Sequence, residues 1–352
     1  MTRRGSDSAK GMGELGLIRR IRARAGKLGV GPGGGSGVVL GIGDDCALLR
    51  VRPGEEMAVT TDLSIEGRHF QMEWHQPEAV GHRTLARGLS DLAAMGARPV
   101  AAFVSLGLRP EMTDGRDEWV KRFYDGLLKL AAEYDVPLAG GDLAESPVVL
   151  ADIVLVGAVE RGKALKRSGA RAGDAIYVTG ELGGAAAGLE RLRSLQFTVR
   201  SSQDGSSKFT VRSSQHDSNE IPLRAHLFPQ PRVAQGVWLR RRGAATAAID
   251  LSDGLSTDLR HLCEESGLAA EVDEAALPIA AGATLEQVLH GGEDYELLFT
   301  AAEGTRIPRT IAGVRATRIG QMMRRGRRAL MTLKGADGSM RTLESQGWQH
   351  FA

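Results

Sequence analysis

Cysteine is nearly absent from this sequence: Cys46 and Cys263 are the only two in 352 residues, and they stand far apart. Two cysteines without metal-type spacing exclude a disulfide framework and fit a reducing compartment. Aromatic residues are scarce as well, at 5%. No window reaches ~18 uninterrupted apolar residues, which excludes a conventional membrane-spanning helix. Arg3 and Arg4 have no apolar segment behind them, so no secretory signal is expected. The net charge of +2 gives no global attraction for nucleic acid, and the basic runs at 19–27, 240–242 and 324–328 read as solvated faces or loops. The expected setting is cytoplasmic, with neither nucleic acid nor membrane as a partner.

The familiar nucleotide motifs are missing too. There is no G-x-x-x-x-G-K-[ST] and no protein-kinase H-R-D. One G-x-G-x-x-G occurs at residues 11–16, but no strand precedes it, which removes the dinucleotide reading. Residues 180–184 lie between a predicted strand and a predicted helix, a geometry that suits either a phosphate cradle or a tightly packed turn.

What is present is an ordinary globular composition, 42% hydrophobic and 25% charged, long enough for about two domains. Helical periodicity runs from 14 to 28, 82 to 95, 119 to 134, 183 to 195 and 257 to 266. Strand-like runs lie at 38–42, 57–61, 101–108, 148–159, 175–179, 244–250, 296–300 and 330–333. Alternation of this kind predicts an α/β (α+β) layered fold. We expect a flexible N-terminus over 1–12, one domain over 13–165 and a second over 166–352. The heptapeptide FTVRSSQ appears at 197–203 and again at 209–215. That single duplication is too short for a solenoid, and 194–219 reads as a solvated loop inserted in the second domain.

The chemistry lies in carboxylates at the ends of apolar runs, beside Gly, Ser or Thr. They are Asp44 and Asp45 in VVLGIGDDCALL, Asp62 in AVTTDLSIEG, Asp91 in ARGLSDLAAMGA, Asp142 in VPLAGGDLAES, and Asp250 and Asp253 in AAIDLSDGLSTDL. Each alone fits a turn or a helix N-cap, and capping is expected at Ser90-Asp91 and Ser252-Asp253. Together they imply dense negative charge that needs cations, and oxygen-only donors favour Mg²⁺ or Mn²⁺ over zinc. Such a site suits phosphoryl transfer.

GELGLI, GIGDD, TTD followed by GRHF, LSDLAAMGA, AGGD, RSGARAGD, DLSDG, GGEDYEL and GWQHF occur in one order across residues 13–351. The ordered set resembles the thiamine-monophosphate kinase family, within the superfamily of aminoimidazole ribonucleotide synthetase. The resemblance implies two α/β domains with mixed sheets flanked by helices, a homodimer formed through N-terminal-domain sheets, and ATP bound without a P-loop. It implies several Mg²⁺ ions held by Asp45, Thr60, Thr61, Asp62, Asp91, Asp142, Asp250 and Asp253. It also implies ATP contacts from Tyr124, Gly141, Asp142, Arg167 and Ser252, and thiamine monophosphate contacts from His69, Glu293 and Trp348. No covalent nucleophile is expected. Selenophosphate synthetase-like and hydrogenase-maturation-like readings lack their characteristic cysteines here, and a non-catalytic binder would have no need of so many metal ligands.

Overall fold

The computed structural model describes residues 13–27, 37–43, 45–112, 118–200, 221–326 and 329–348. It divides into two compact units. The first takes the described residues up to Pro53, Val59–Gly88 and Pro99–Gly157; the second takes Gly54–Ala58, Leu89–Arg98 and the described residues from Ala158 onward.

The first half of the chain runs α1 (Gly13–Lys27), β1 (Val38–Leu40), β2 (Leu48–Leu49), β3 (Glu55–Ile65), α2 (Pro77–Ala94), β4 (Arg98–Leu108), α3 (Trp119–Glu133), β5 (Leu138–Glu145) and β6 (Leu150–Glu160). Four of the strands form a sheet in the order β3-β6-β4-β5, and β4 and β5 run parallel. Helix α3 is amphipathic: Trp119, Phe123, Leu127 and Leu130 recur at helical spacing and are buried. Its exposed side ties back to α2, where Arg122 donates to both Glu78 carboxylate oxygens at 2.7 and 2.8 Å.

The second half runs β7 (Ala175–Thr179), α4 (Gly184–Arg200), α5 (Ile221–Leu227), α6 (Val233–Arg242), β8 (Ala247–Asp250), α7 (Leu255–Ser266), β9 (Leu268–Asp273), α8 (Leu285–His290), β10 (Leu297–Ala301), β11 (Thr310–Ile311), β12 (Val314–Arg324), β13 (Met331–Lys334) and β14 (Met340–Thr342). Its mixed sheet has the order β14-β13-β9-β12-β7-β10-β8, with β11 paired to β12. Among the described residues β13 runs parallel to β9, and the other strand pairs of this sheet are antiparallel. Ile176, Val178, Ile249, Leu259, Val272, Leu298 and Ile319 form one core beneath α7. Strands β8 and β10 are buried at every position, which is why they read as continuous apolar runs.

Several local expectations are corrected. Asp62 and Asp142 lie inside β3 and β5 rather than at strand ends. Asp91 sits within α2, so Ser90-Asp91 caps no helix there. Helix α7 has Gly254 at its N-cap with no side-chain cap, so Ser252 and Asp253 do not cap it either. Residues 194–200, read as part of an inserted loop, continue helix α4. The rest of that insertion, to 219, lies outside the described residues, as do the 1–12 segment and Asp44.

Candidate active site

In the second unit, β8 carries the chain through the sheet and delivers Asp250 at its end. Asp250 is buried, and its Oδ2 accepts a hydrogen bond from Ser90 Oγ at 2.8 Å. The loop that follows is held by Asp258, one turn into α7. Its Oδ2 accepts from the backbone N–H groups of Ser252, Asp253 and Gly254, each at 3.1 Å. Burial, then the negative charges of Asp250 and Asp253, push the Asp258 carboxyl well above the usual carboxylate range. Crowded carboxylates of this kind favour bound cations or protons.

Two other segments dock on the same loop. Glu293 N–H donates to Ser252 O at 2.8 Å and Tyr295 N–H to Leu251 O at 2.9 Å. Glu293 and Tyr295 both occupy the left-handed region, with φ of 69° and 51°. The C-terminal segment is stitched on by Gly347 N–H to Thr257 Oγ1 at 3.1 Å and Trp348 N–H to Asp253 O at 3.0 Å. Gly347 is required for this approach, because a Cβ there would lie 2.0 Å from Asp253 O. Asp253, Glu293 and Trp348, separated by up to 95 positions, are thus brought onto one loop, and Trp348 remains 46% exposed.

The other acids of GGEDYEL serve the structure. Asp294 accepts from Gly183 N–H at 2.7 Å and Ala185 N–H at 3.1 Å. Those donors therefore hold a tight turn and not a phosphate. Glu296 is paired with Arg232 and accepts from Thr179 Oγ1 at 2.7 Å. Burial pushes the Asp294 carboxyl up to about 7, against its two backbone hydrogen bonds. The native state then holds a proton that the unfolded chain has already lost. This contribution to stability is complete below the ordinary carboxylate range and is lost as pH rises through about 7. We expect the melting temperature in EDTA to fall from about pH 5 to about pH 8, and Asp294→Asn to flatten that slope. An unchanged slope would assign the dependence to other groups, Asp258 first.

In the first unit, Thr60, Thr61 and Asp62 lie on β3. Asp62 Oδ1 stands 3.4 Å from Arg87 Nη2, and Arg87 also donates to Ser64 Oγ at 3.3 Å. Arg87 was not singled out from the sequence, and its charge means that metal is not the sole neutraliser of Asp62. His69 Nδ1 accepts from Ile65 N–H at 3.1 Å in the turn after β3. Gly141 lies against β4, where a Cβ would come within 1.9 Å of Val104 O, and Asp142 beside it is exposed. Asp45 is exposed between β1 and β2, while Asp91 in α2 is half-buried and belongs to the second unit. Arg167 is exposed. Tyr124 is 3% exposed, edge-on to Phe123, and burial raises its hydroxyl pKa. Its ring belongs to the core face of α3.

The carboxylates of Asp45, Asp62, Asp91, Asp142, Asp250 and Asp253 and the hydroxyls of Thr60 and Thr61 are oxygen donors, the class that Mg²⁺ takes. Among the described residues no three His, Cys, Asp or Glu side chains are grouped closely enough to hold a metal ion by themselves.

Residues 43–159 match the AIR synthase related protein N-terminal domain, and residues 171–331 match its C-terminal domain. The thiamine-monophosphate kinase of Escherichia coli K12 is 38% identical over 358 residues, spanning 97% of this chain and 98% of that protein. The chain belongs to the thiamine-monophosphate kinase family. The family's Bacillus subtilis member is 32% identical over 329 residues, spanning 90% of this chain and 94% of that protein. Among solved structures, the family's enzyme from Stenotrophomonas maltophilia superposes with a TM-score of 0.73 at 36% identity, covering 92% of this chain and 96% of that one. AaThiL complexed with AMPPCP and TMP superposes with a TM-score of 0.69 at 29% identity, covering 99% of each. No helix among the described residues is long and apolar enough to cross a membrane.

Proposed function

We propose that this thiamine-phosphate kinase transfers the γ-phosphoryl group of ATP directly to thiamine monophosphate, in line and with Mg²⁺ required, giving thiamine diphosphate. The observation that carries the reading is the docking of Glu293 and Trp348 onto the Asp253 loop, immediately after the buried Asp250. A family member related to this chain along its length holds an ATP analogue together with TMP.

In this reading Glu293, His69 and Trp348 bind thiamine monophosphate, while Tyr124, Gly141, Asp142, Arg167 and Ser252 meet ATP. Asp45, Thr60, Thr61, Asp62, Asp91, Asp142, Asp250 and Asp253 are the oxygen donors that would hold Mg²⁺. Bound Mg²⁺ supplies relief of the repulsion between the two phosphate-bearing substrates. The acceptor has a second pKa of about 6 and is largely dianionic at neutral pH, so the chain need supply no general base. Its task is positioning: the Asp258 nest fixes the loop, and the stitched C-terminal segment fixes the indole.

A coupled ADP-release assay tests this. ADP should appear with thiamine monophosphate and Mg²⁺, and should fail to appear with unphosphorylated thiamine or with EDTA. Binding of both substrates without ADP release would make the chain a binder.

We further infer a homodimer through β3. This strand lies at a sheet edge, and Met57, Val59 and Leu63 share one face at 60%, 61% and 44% exposure. An exposed apolar face of that kind, interrupted only by Thr61, suits burial against a second copy. Met57→Lys with Val59→Lys should convert a dimer to a monomer in sedimentation velocity; an unchanged dimer would place the interface elsewhere.

A further inference from the structure

His226 lies near the end of α5 and is 1% exposed. Its Nδ1 stands 3.6 Å from Glu293 Oε2. Burying an imidazole costs free energy unless its nitrogens meet polar partners, so this placement needs a reason. The neighbouring acids suggest one. Within GGEDYEL, Asp294 is committed to two backbone N–H groups and Glu296 to Arg232. Glu293 has its backbone tied to Ser252, and its half-buried side chain faces His226. It also sits at a φ of 69°, a left-handed conformation unfavourable for an L-residue. Strain of this kind persists where the surroundings over-determine a residue, and it is found at ligand-binding positions.

We propose that His226 is a positioning residue for substrate recognition, holding the Glu293 carboxylate in place for the thiamine half of the acceptor. This rests on the reading of Glu293 as a thiamine monophosphate contact. A glutamate has three side-chain torsions to fix on binding, and an imidazole wall beside its carboxylate fixes them beforehand, so less ordering remains when substrate arrives. The effect of His226 should therefore fall on thiamine monophosphate and spare ATP.

The test is steady-state kinetics on the full chain with His226→Leu, His226→Gln, Glu293→Gln and the Leu/Gln double variant. His226→Leu should raise KM for thiamine monophosphate about five-fold or more, with kcat and KM for ATP within about two-fold. His226→Gln, which restores a polar group beside the carboxylate, should recover most of that loss. In the Glu293→Gln background, His226→Leu should add less than about two-fold, because the coupled partner is already gone. An equal rise in both KM values, or an undiminished effect in the Glu293→Gln background, would make His226 a packing residue and overturn the proposal. If Glu293→Gln raises KM while neither His226 variant does, His226 has no positioning role although the Glu293 reading survives. If Glu293→Gln leaves KM unchanged, the Glu293 reading falls and the proposal with it. Should His226→Leu not fold, His226→Asn replaces it: the shorter amide should show the rise that His226→Gln does not, and equal wild-type behaviour of both would overturn the proposal.

Discussion

Asp91→Asn is expected to cut turnover about a hundred-fold or more while leaving the fold intact, a loss typical of removing one electrostatic group aimed at the reaction centre. The structure sharpens this expectation. Asp91 lies in the last turn of α2, where no basic residue accompanies it. The partial negative charge of a helix C-terminus disfavours an acid there by about 0.3–1 kcal/mol. Its neighbour Ser90 is engaged with Asp250. In EDTA, Asp91→Asn should therefore melt at or slightly above the wild-type temperature. Asp62→Asn should also lose turnover but gain no such stability, since it takes a negative charge away from Arg87. ADP release across a Mg²⁺ titration, paired with melting curves, checks both. Activity of Asp91→Asn above about a third of wild type at saturating Mg²⁺ would remove Asp91 from the metal ligands.

Trp348→Ala should raise KM for thiamine monophosphate from several-fold to a few tens-fold, with KM for ATP nearly unchanged. Thiamine carries a cationic thiazolium, and a cation over an indole face contributes roughly 0.5–2 kcal/mol. The backbone N–H of Trp348 is held by Asp253 O, so truncating the side chain removes the ring without releasing the segment. Gly347→Ala provides the contrast. Its Cβ would meet Asp253 O at 2.0 Å and Thr257 Oγ1 at 2.5 Å, so the segment and the Asp253 loop must both shift. That variant should weaken both substrates and lower kcat. If Trp348→Ala also weakens both substrates equally, the indole is structural and its assignment to thiamine has to go.

These particulars show what local sequence could reveal. Strand β7 and helix α3 were readable almost to the residue, because each combines a clear period with Gly or polar borders. Strand β12 was not: its sequence VRATRIGQMMR shows no apolar alternation, and it is held as a strand by β7 and β9 on either side. Asp62 and Asp142 were recognised as site candidates yet placed at strand ends, because Thr-Asp and Gly-Asp resemble turns until the neighbouring strand is known. Arg87, Asp258 and His226 escaped notice for one shared reason. Each acts on a group elsewhere in the chain, and separations of 25, 5 and 67 positions carry no local signature. For Asp258 a weak signal did exist, an acid one turn inside the helix that follows DLSDG.

The sheet order of the second unit has a consequence for how the protein is made. Strand β7 is synthesised first of its sheet, yet its two partners, β10 and β12, emerge more than a hundred residues later. At ribosomal speeds of about 5–20 residues per second, Ile176 and Val178 wait on the order of ten seconds without the neighbours that will cover them. Long-range pairing of this kind folds slowly and leaves an apolar strand open to stray pairing meanwhile. Production of this chain should therefore depend on chaperone supply and on temperature more steeply than its final stability would suggest.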